Sequence, residues 1–270
     1  MRSELLVRFY TAIPLVVSTL TAVFYLNART FLLLDILLIV LAAWEWSGLC
    51  GYADKRMRYG YLCFVGAGCV LVQYANIDGV AKCTLLLSSG LMAYMGLLVG
   101  RQKLFACSAL KLATVGAIYL WFACYALSYL KTYPPLLGLG LLLIILTDSF
   151  AYFVGRLFGK RPLAPLISPN KTWEGFLGGL IGPAVVFMMI LILNNDSAYL
   201  KGLYLLLGMM TSLVAQAGDL FESAVKRQRN VKDSGHWLPG HGGLLDRLDS
   251  IVSALPFFAA GVYFITQYVS

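Results

Sequence analysis

The sequence predicts an all-α fold: a polytopic transmembrane helix bundle of about nine spans, with two cytoplasmic active-site loops. Three observations carry this. Of the 270 residues, 60% are hydrophobic and only 13% are charged, against roughly 25% charged in an ordinary globular domain. Mean hydropathy is +0.78. Nine apolar runs approach the roughly 20 residues that a helix needs to cross a bilayer. A soluble enzyme, a disordered chain and a disulfide-rich secreted domain are all excluded by this composition.

The runs lie at about 9–26, 31–49, 60–76, 83–100, 112–130, 136–155, 176–194, 199–219 and 250–269. The first follows Arg2 and Arg8, as a signal peptide would. Its apolar core is too long for one and no A-x-A site follows, so it is expected to stay as a helix. Residues 1–130 then form an N-terminal region of about five spans, and 131–270 a catalytic membrane region. Four of the 21 Lys and Arg residues, Arg29, Lys82, Lys131 and Lys201, fall on one side of this layout. The other seventeen fall with the N-terminus. Positive charge collects on the cytoplasmic side, so the N-terminus and both long loops are expected there, with the C-terminus outside. The net charge of +8 therefore reports topology and lipid headgroups, not nucleic acid. Cys50, Cys63, Cys69, Cys83, Cys107 and Cys124 form no C-x-x-C pair and are expected to be buried core thiols.

Function is expected in the two long polar loops, about 156–175 and 220–249. Asp35, Glu45, Asp148 and Asp219 lie inside or at the edge of apolar runs, where a charge is costly and must face protein or water. Asp35 and Glu45 are expected to make interhelical or interfacial hydrogen bonds. Asp148 and Asp219 end their spans near the cytoplasmic boundary. If the eighth helix continues past Asp219, then Ser223 and Lys226 share its face. The run Leu238-Pro239-Gly240-His241-Gly242-Gly243 cannot be regular helix and offers main-chain N–H groups to a phosphate. Asp246 and Asp249 then share a face of the last helix. Carboxylates suit a hard cation such as Mg²⁺, and Lys226, Arg227, Lys232 and Arg247 suit the phosphates it would hold. These are the parts of a phosphoryl or nucleotidyl transfer site. The other loop carries Ser168-Pro169-Asn170-Lys171-Thr172-Trp173-Glu174-Gly175, where Ser168-Pro169 could start a helix and Glu174 could be its early acid. No P-loop occurs. With only His236 and His241, no hydrolase triad can be assembled.

At these residues the chain resembles the phosphatidate cytidylyltransferases, the CDP-diacylglycerol synthases. Their signature appears as Ser223, Val225, Lys226, Arg227, Lys232, Asp233, Gly235, Leu238, Pro239, His241, Gly242, Gly243, Leu244, Asp246, Arg247, Leu248 and Asp249, with no required position missing. The stretch from Ser168 to Gly175 is similar to a second family motif. The resemblance is strong over about 148–250. It implies transfer from CTP to phosphatidate, releasing pyrophosphate, in a dimeric membrane enzyme that uses Mg²⁺ and a second cation, K⁺. On that basis Asp219 and Asp246 are expected to hold the metal, with Asp249 and Ser223 beside them. Lys226, Arg227, Lys232, His241, Gly242 and Gly243 are expected at the triphosphate, and Lys171 and Arg247 at phosphate of either substrate. Asp148 and Ser168 are expected in the polar cavity. The rival readings are a CTP-dependent enzyme acting on another lipid (a CDP-archaeol synthase or polyprenol kinase type), a cation transporter, and a non-catalytic lipid-binding scaffold.

Overall fold

The structure is a computed structural model, and it describes residues 14, 16–101, 107–193, 197–237 and 242–269. Among these are nine helices. They are α1 (16–25), α2 (Ala28–Leu49), α3 (Lys55–Val72), α4 (Ile77–Arg101), α5 (Ala109–Lys131), α6 (Pro134–Phe158), α7 (Trp173–Ile192), α8 (Ala198–Gln228) and α9 (Leu245–Val269). Seven of them, α2 and α4 to α9, are long and apolar enough to cross a membrane. The protein is a multi-pass integral membrane protein. The third expected span is not among the seven: α3 starts earlier, at Lys55, and its first turn carries Lys55, Arg56 and Arg58.

Short polar residues set the helix starts. Asn27, Asp54, Ser108, Thr172 and Ser197 each accept a main-chain N–H of the first turn that follows, satisfying donors that a helix leaves open. Pro134 opens α6, where its missing N–H costs nothing. At α1 the cap comes from afar. The buried Lys131 ammonium donates to Ala22 O (3.0 Å) and Val23 O (2.6 Å) and lies over the Phe31 ring.

The core joins both halves of the chain. One apolar cluster gathers Val23, Leu130, Leu137, Ile144, Val214 and Phe258; a second gathers Ile39, Trp46, Val65, Leu120, Val225 and Val252. Polar ring edges are paired across it: Trp46 Nε1 donates to Leu112 O, Trp121 Nε1 to Val65 O and Tyr61 OH to Ala113 O. Many large apolar side chains, such as Leu33, Leu86, Ile181 and Leu193, point outward, as lipid contact requires. So do Cys63 and Cys83; with Cys107 only partly buried, this corrects the expectation of six buried thiols. Both occupy outward-facing positions of α3 and α4, set by the 3.6-residue repeat.

Two departures shape the polar end. Ser168-Pro169 starts no helix. Pro162–Ala164 (β1) and Ser168–Thr172 (β2) pair as an antiparallel hairpin, Pro162 opposite Thr172 and Ala164 opposite Ser168, and the helix begins only at Trp173. Glu174 is in its first turn, as expected, and accepts the N–H groups of Lys160 and Arg161. Helix α8 runs on to Gln228. Its 31 residues reach about 46 Å at 1.5 Å per residue, well beyond a ~30 Å hydrocarbon layer.

Helices α6 and α7 approach closely at Gly155 and Gly175. A Cβ on Gly175 would stand 2.7 Å from Ala151 O and 3.0 Å from Gly155 Cα, whereas one on Gly202 meets nothing within 4 Å. Gly175→Ala is therefore expected to cost about 1–3 kcal/mol by overpacking. Gly202→Ala should be neutral or gain up to about 1 kcal/mol in helix propensity. Thermal unfolding of the two detergent-solubilised variants checks the pair.

Candidate active site

The hairpin and the polar ends of α6, α7 and α8 enclose a cavity of about 570 Å³, lined by Asp148, Tyr152, Arg156, Asn170, Lys171, Gln216 and Asp219 among others. Lys171 reaches it from β2 and meets Asp219 of α8 at 2.6 Å. Both side chains stay just over a quarter exposed, so this pair faces the cavity and remains open to exchange. Ser223 lies one turn further along α8 and donates to Asp219 Oδ1 at 3.5 Å. Ser250 of α9 joins two further acids: its hydroxyl donates to Asp148 Oδ1 (3.4 Å) and its N–H to Asp249 Oδ1 (2.7 Å). The charges of Asp148, Asp219 and Asp249 act on one another, and that of Arg247 acts on Asp148.

A second charge cluster lies deeper. Lys226 is 8% exposed and stands between Glu222 (3.1 Å) and Asp246 (2.7 Å). Asp246 also accepts from Ser234 N (2.9 Å) and Gly243 N (2.9 Å). Gly242, at φ +81°, bends the chain where a Cβ would come 2.9 Å from Asp246 Oδ2, a conformation that glycine adopts without strain.

The structure thus divides the expected site residues. It brings Lys171, Asp148 and Asp219 to the cavity, with Ser223 beside Asp219. It turns Lys226 and Asp246 toward each other. Arg227 Nε donates to Ile167 O (3.0 Å) and its Nη1 to Val231 O (3.3 Å), so this guanidinium ties α8 to the hairpin turn. Ser168 sits at the start of β2. Lys232 and Arg247 are exposed beside the loop. His241 lies outside the described residues. Glu222, Ser250, Arg156 and Gln216 were missed as site residues. Glu222 carried a signal, since it is four residues before Lys226 on a helix. Arg156 and Gln216 carried none beyond their place near span ends.

The carboxylate oxygens at Asp219 and Asp249 are the donor type that a hard divalent cation takes, and their mutual repulsion favours taking one up. As placed, no three acid, Cys or His side chains among the described residues converge on one point.

Stability separates the two clusters. Lys226→Met strands two buried carboxylates and is expected to cost about 3–5 kcal/mol. Asp219→Asn breaks a partly exposed pair and is expected to cost about 0–1 kcal/mol. Unfolding midpoints in detergent should drop for the first and barely move for the second.

Comparison with known proteins agrees with this geometry. The cytidylyltransferase family pattern matches residues 6–265. A phosphatidate cytidylyltransferase of Haemophilus influenzae is 34% identical, with 96% of this chain and 98% of that one covered. One from Pseudomonas aeruginosa is 35% identical, covering 94% and 95%. One from Bacillus subtilis reaches 52% identity over 114 residues, 41% of each chain. With nearly all of its length matched and its polar residues gathered at one helix-bundle end, this chain belongs to the cytidylyltransferase family.

Proposed function

We propose that the protein is a phosphatidate cytidylyltransferase, converting CTP and phosphatidate to CDP-diacylglycerol and pyrophosphate in phospholipid biosynthesis. The observation that carries this reading is the junction of two unlike cavities. The polar cavity shares Leu163, Phe176 and Gln216 with an apolar groove of about 440 Å³ along α4, α7 and α8. A charged phosphate suits the first and an acyl chain the second. On the shared wall, Gln216 Nε2 is buried without an acceptor among the described residues, a donor for a substrate oxygen. The names of the full-length relatives support the same substrates.

The lipid phosphate is already anionic, so its oxygen attacks the α-phosphorus of CTP without a strong base. The bond from that phosphorus to the bridging oxygen breaks, and pyrophosphate leaves with the electron pair. Lys171, Arg156 and Arg247 offset the charge of the two phosphates, while Lys232, His241, Gly242 and Gly243 hold the triphosphate. Positioning and charge neutralisation supply the rate. Asp219, Asp249 and Ser223 would hold Mg²⁺, with K⁺ as a second cation, and Asp246 would join them while still held by Lys226. Bound Mg²⁺ supplies further neutralisation of the triphosphate. Lys226 and Arg227 act from behind, the one holding Asp246 and the other the hairpin. The loops face the cytoplasm, the C-terminus lies outside, and the working form is a homodimer.

Pyrophosphate release by the purified protein in detergent tests this, with CTP and Mg²⁺, with and without phosphatidate, and with K⁺ varied. Release should need both substrates, yield a CDP-lipid and stop on chelation. Asp219→Asn should lower kcat by roughly 10²-fold or more, the scale of losing a charge-stabilising group, without unfolding. Release that ignores phosphatidate but responds to another lipid would reassign the acceptor.

A further inference from the structure

Glu45 is an acid near the end of α2, in the chain's apolar N-terminal half, yet its partners lie 189 to 200 residues away in the signature loop. It is 3% exposed. Its Oε1 accepts the N–H of Leu244 (3.0 Å), and its Oε2 accepts the N–H of Leu245 (2.7 Å) and the Ser234 hydroxyl (2.9 Å). Leu245 is the first residue of α9. Glu45 therefore caps α9 from another helix, placing a carboxylate where a helix N-terminus favours one. The loop is shaped to admit it. A Cβ on Gly235 would run into Glu45 Oε1, and one on Gly243 into Glu45 Oε2 and the Ser234 hydroxyl.

Asp246 holds the same two chain segments from the other side, through Ser234 N and Gly243 N. The loop between Ser234 and Gly243 is thus closed at its neck by two carboxylates. One of them also belongs to the Lys226 cluster; the other comes from α2 and touches no cavity group. Only the second is free of any part in the chemistry.

We propose that Glu45 is a positioning residue: it ties Ser234 to Leu244 and Leu245 at the neck of the signature loop and so presents Gly242, Gly243 and Lys232 to the triphosphate. The nucleotide part rests on the function proposed above; the closure itself does not. The position of one helix α2 side chain then sets nucleotide affinity, while the lipid side, built on the hairpin, α4 and α7, is left alone.

Glu45→Gln keeps the size, removes the charge and turns an N–H toward a donor. Two readouts on the full-length protein in detergent test it. Hydrogen–deuterium exchange should quicken at residues 232–237 and 242–245 and stay unchanged in the rest of α9. KM for CTP should rise about tenfold or more, the scale of one hydrogen bond to a charged group, with KM for phosphatidate within about twofold. Ser234→Ala, which removes one bond of three, should shift both readouts the same way by less, and it decides the matter if Glu45→Gln does not fold. Unchanged exchange would overturn the closure. Faster exchange with an unchanged KM for CTP, or an equal loss toward both substrates, would overturn the positioning role. A wild-type protein without cytidylyltransferase activity would sink the proposed function and the nucleotide part with it, while exchange would still decide the closure.

Discussion

The arrangement depends on burying Lys226 between Glu222 and Asp246. An ammonium at the end of an apolar bundle is stable only when carboxylates meet it and the leftover oxygens find donors. Glu222 comes from the same helix, so α8 must stay helical through its polar stretch. Asp246 comes from α9, so α9 must begin beside it. Asp246's remaining capacity is filled by Ser234 N and Gly243 N, and that fixes where the loop between the two helices folds back. One buried cation therefore sets the length of α8, the start of α9 and the neck of the loop.

The next three residues, the last two of α8 and its C-cap Arg229, extend the same logic to neutral groups. Arg227 donates to Ile167 O, Gln228 to Cys107 O and Arg229 to Leu49 O and Cys50 O. These carbonyls lie in turns and at a helix end, where no regular backbone partner exists. Long side chains from one helix end thus satisfy the hairpin turn, the segment before α5 and the end of α2. The hairpin carries Lys171, so the fit of α8 against it decides where a cavity cation stands. Packing of Ile167 and Leu163 with Leu220 and Ala224 supports the same contact.

Much of the fold is legible in the sequence because lipid allows few alternatives. Backbone groups in hydrocarbon must pair locally, so an apolar run of span length becomes a helix. The ends are less legible. Helix α8 passes the expected end at 219 because Ser223 and Lys226 bond back to Asp219 and Glu222, while hydropathy registers them only as polar. The hairpin was hidden for the opposite reason: Ser168-Pro169 has the form of a helix start, and pairing with Pro162–Ala164 overrides it. In the site, residue type was legible and partnership was not. Asp219 and Asp148 could be placed by their position at span ends. That Asp246 would be spent on Lys226, and Glu45 on residues 234–245, needed three dimensions, since the partners are 20 and about 190 residues apart.

The basic residues show what this distinction means for function. By charge alone Lys171, Lys226 and Arg227 are equivalent, and a signature that contains the last two suggests that they bind phosphate. Their surroundings differ. Lys226 is met by two buried acids and Arg227 by main-chain oxygens, so an incoming phosphate would have to displace partners that the fold requires. Lys171 is met by one acid, Asp219, in a pair open to the cavity. An anion and a cation arriving together can part that pair without loss: the anion takes the lysine and the cation takes the carboxylate. A metal-bound triphosphate is such a pair of charges. Of the three basic residues, Lys171 is thus the one whose partner such a ligand would replace at no cost to the fold, which is why the function proposed above places it at the phosphates.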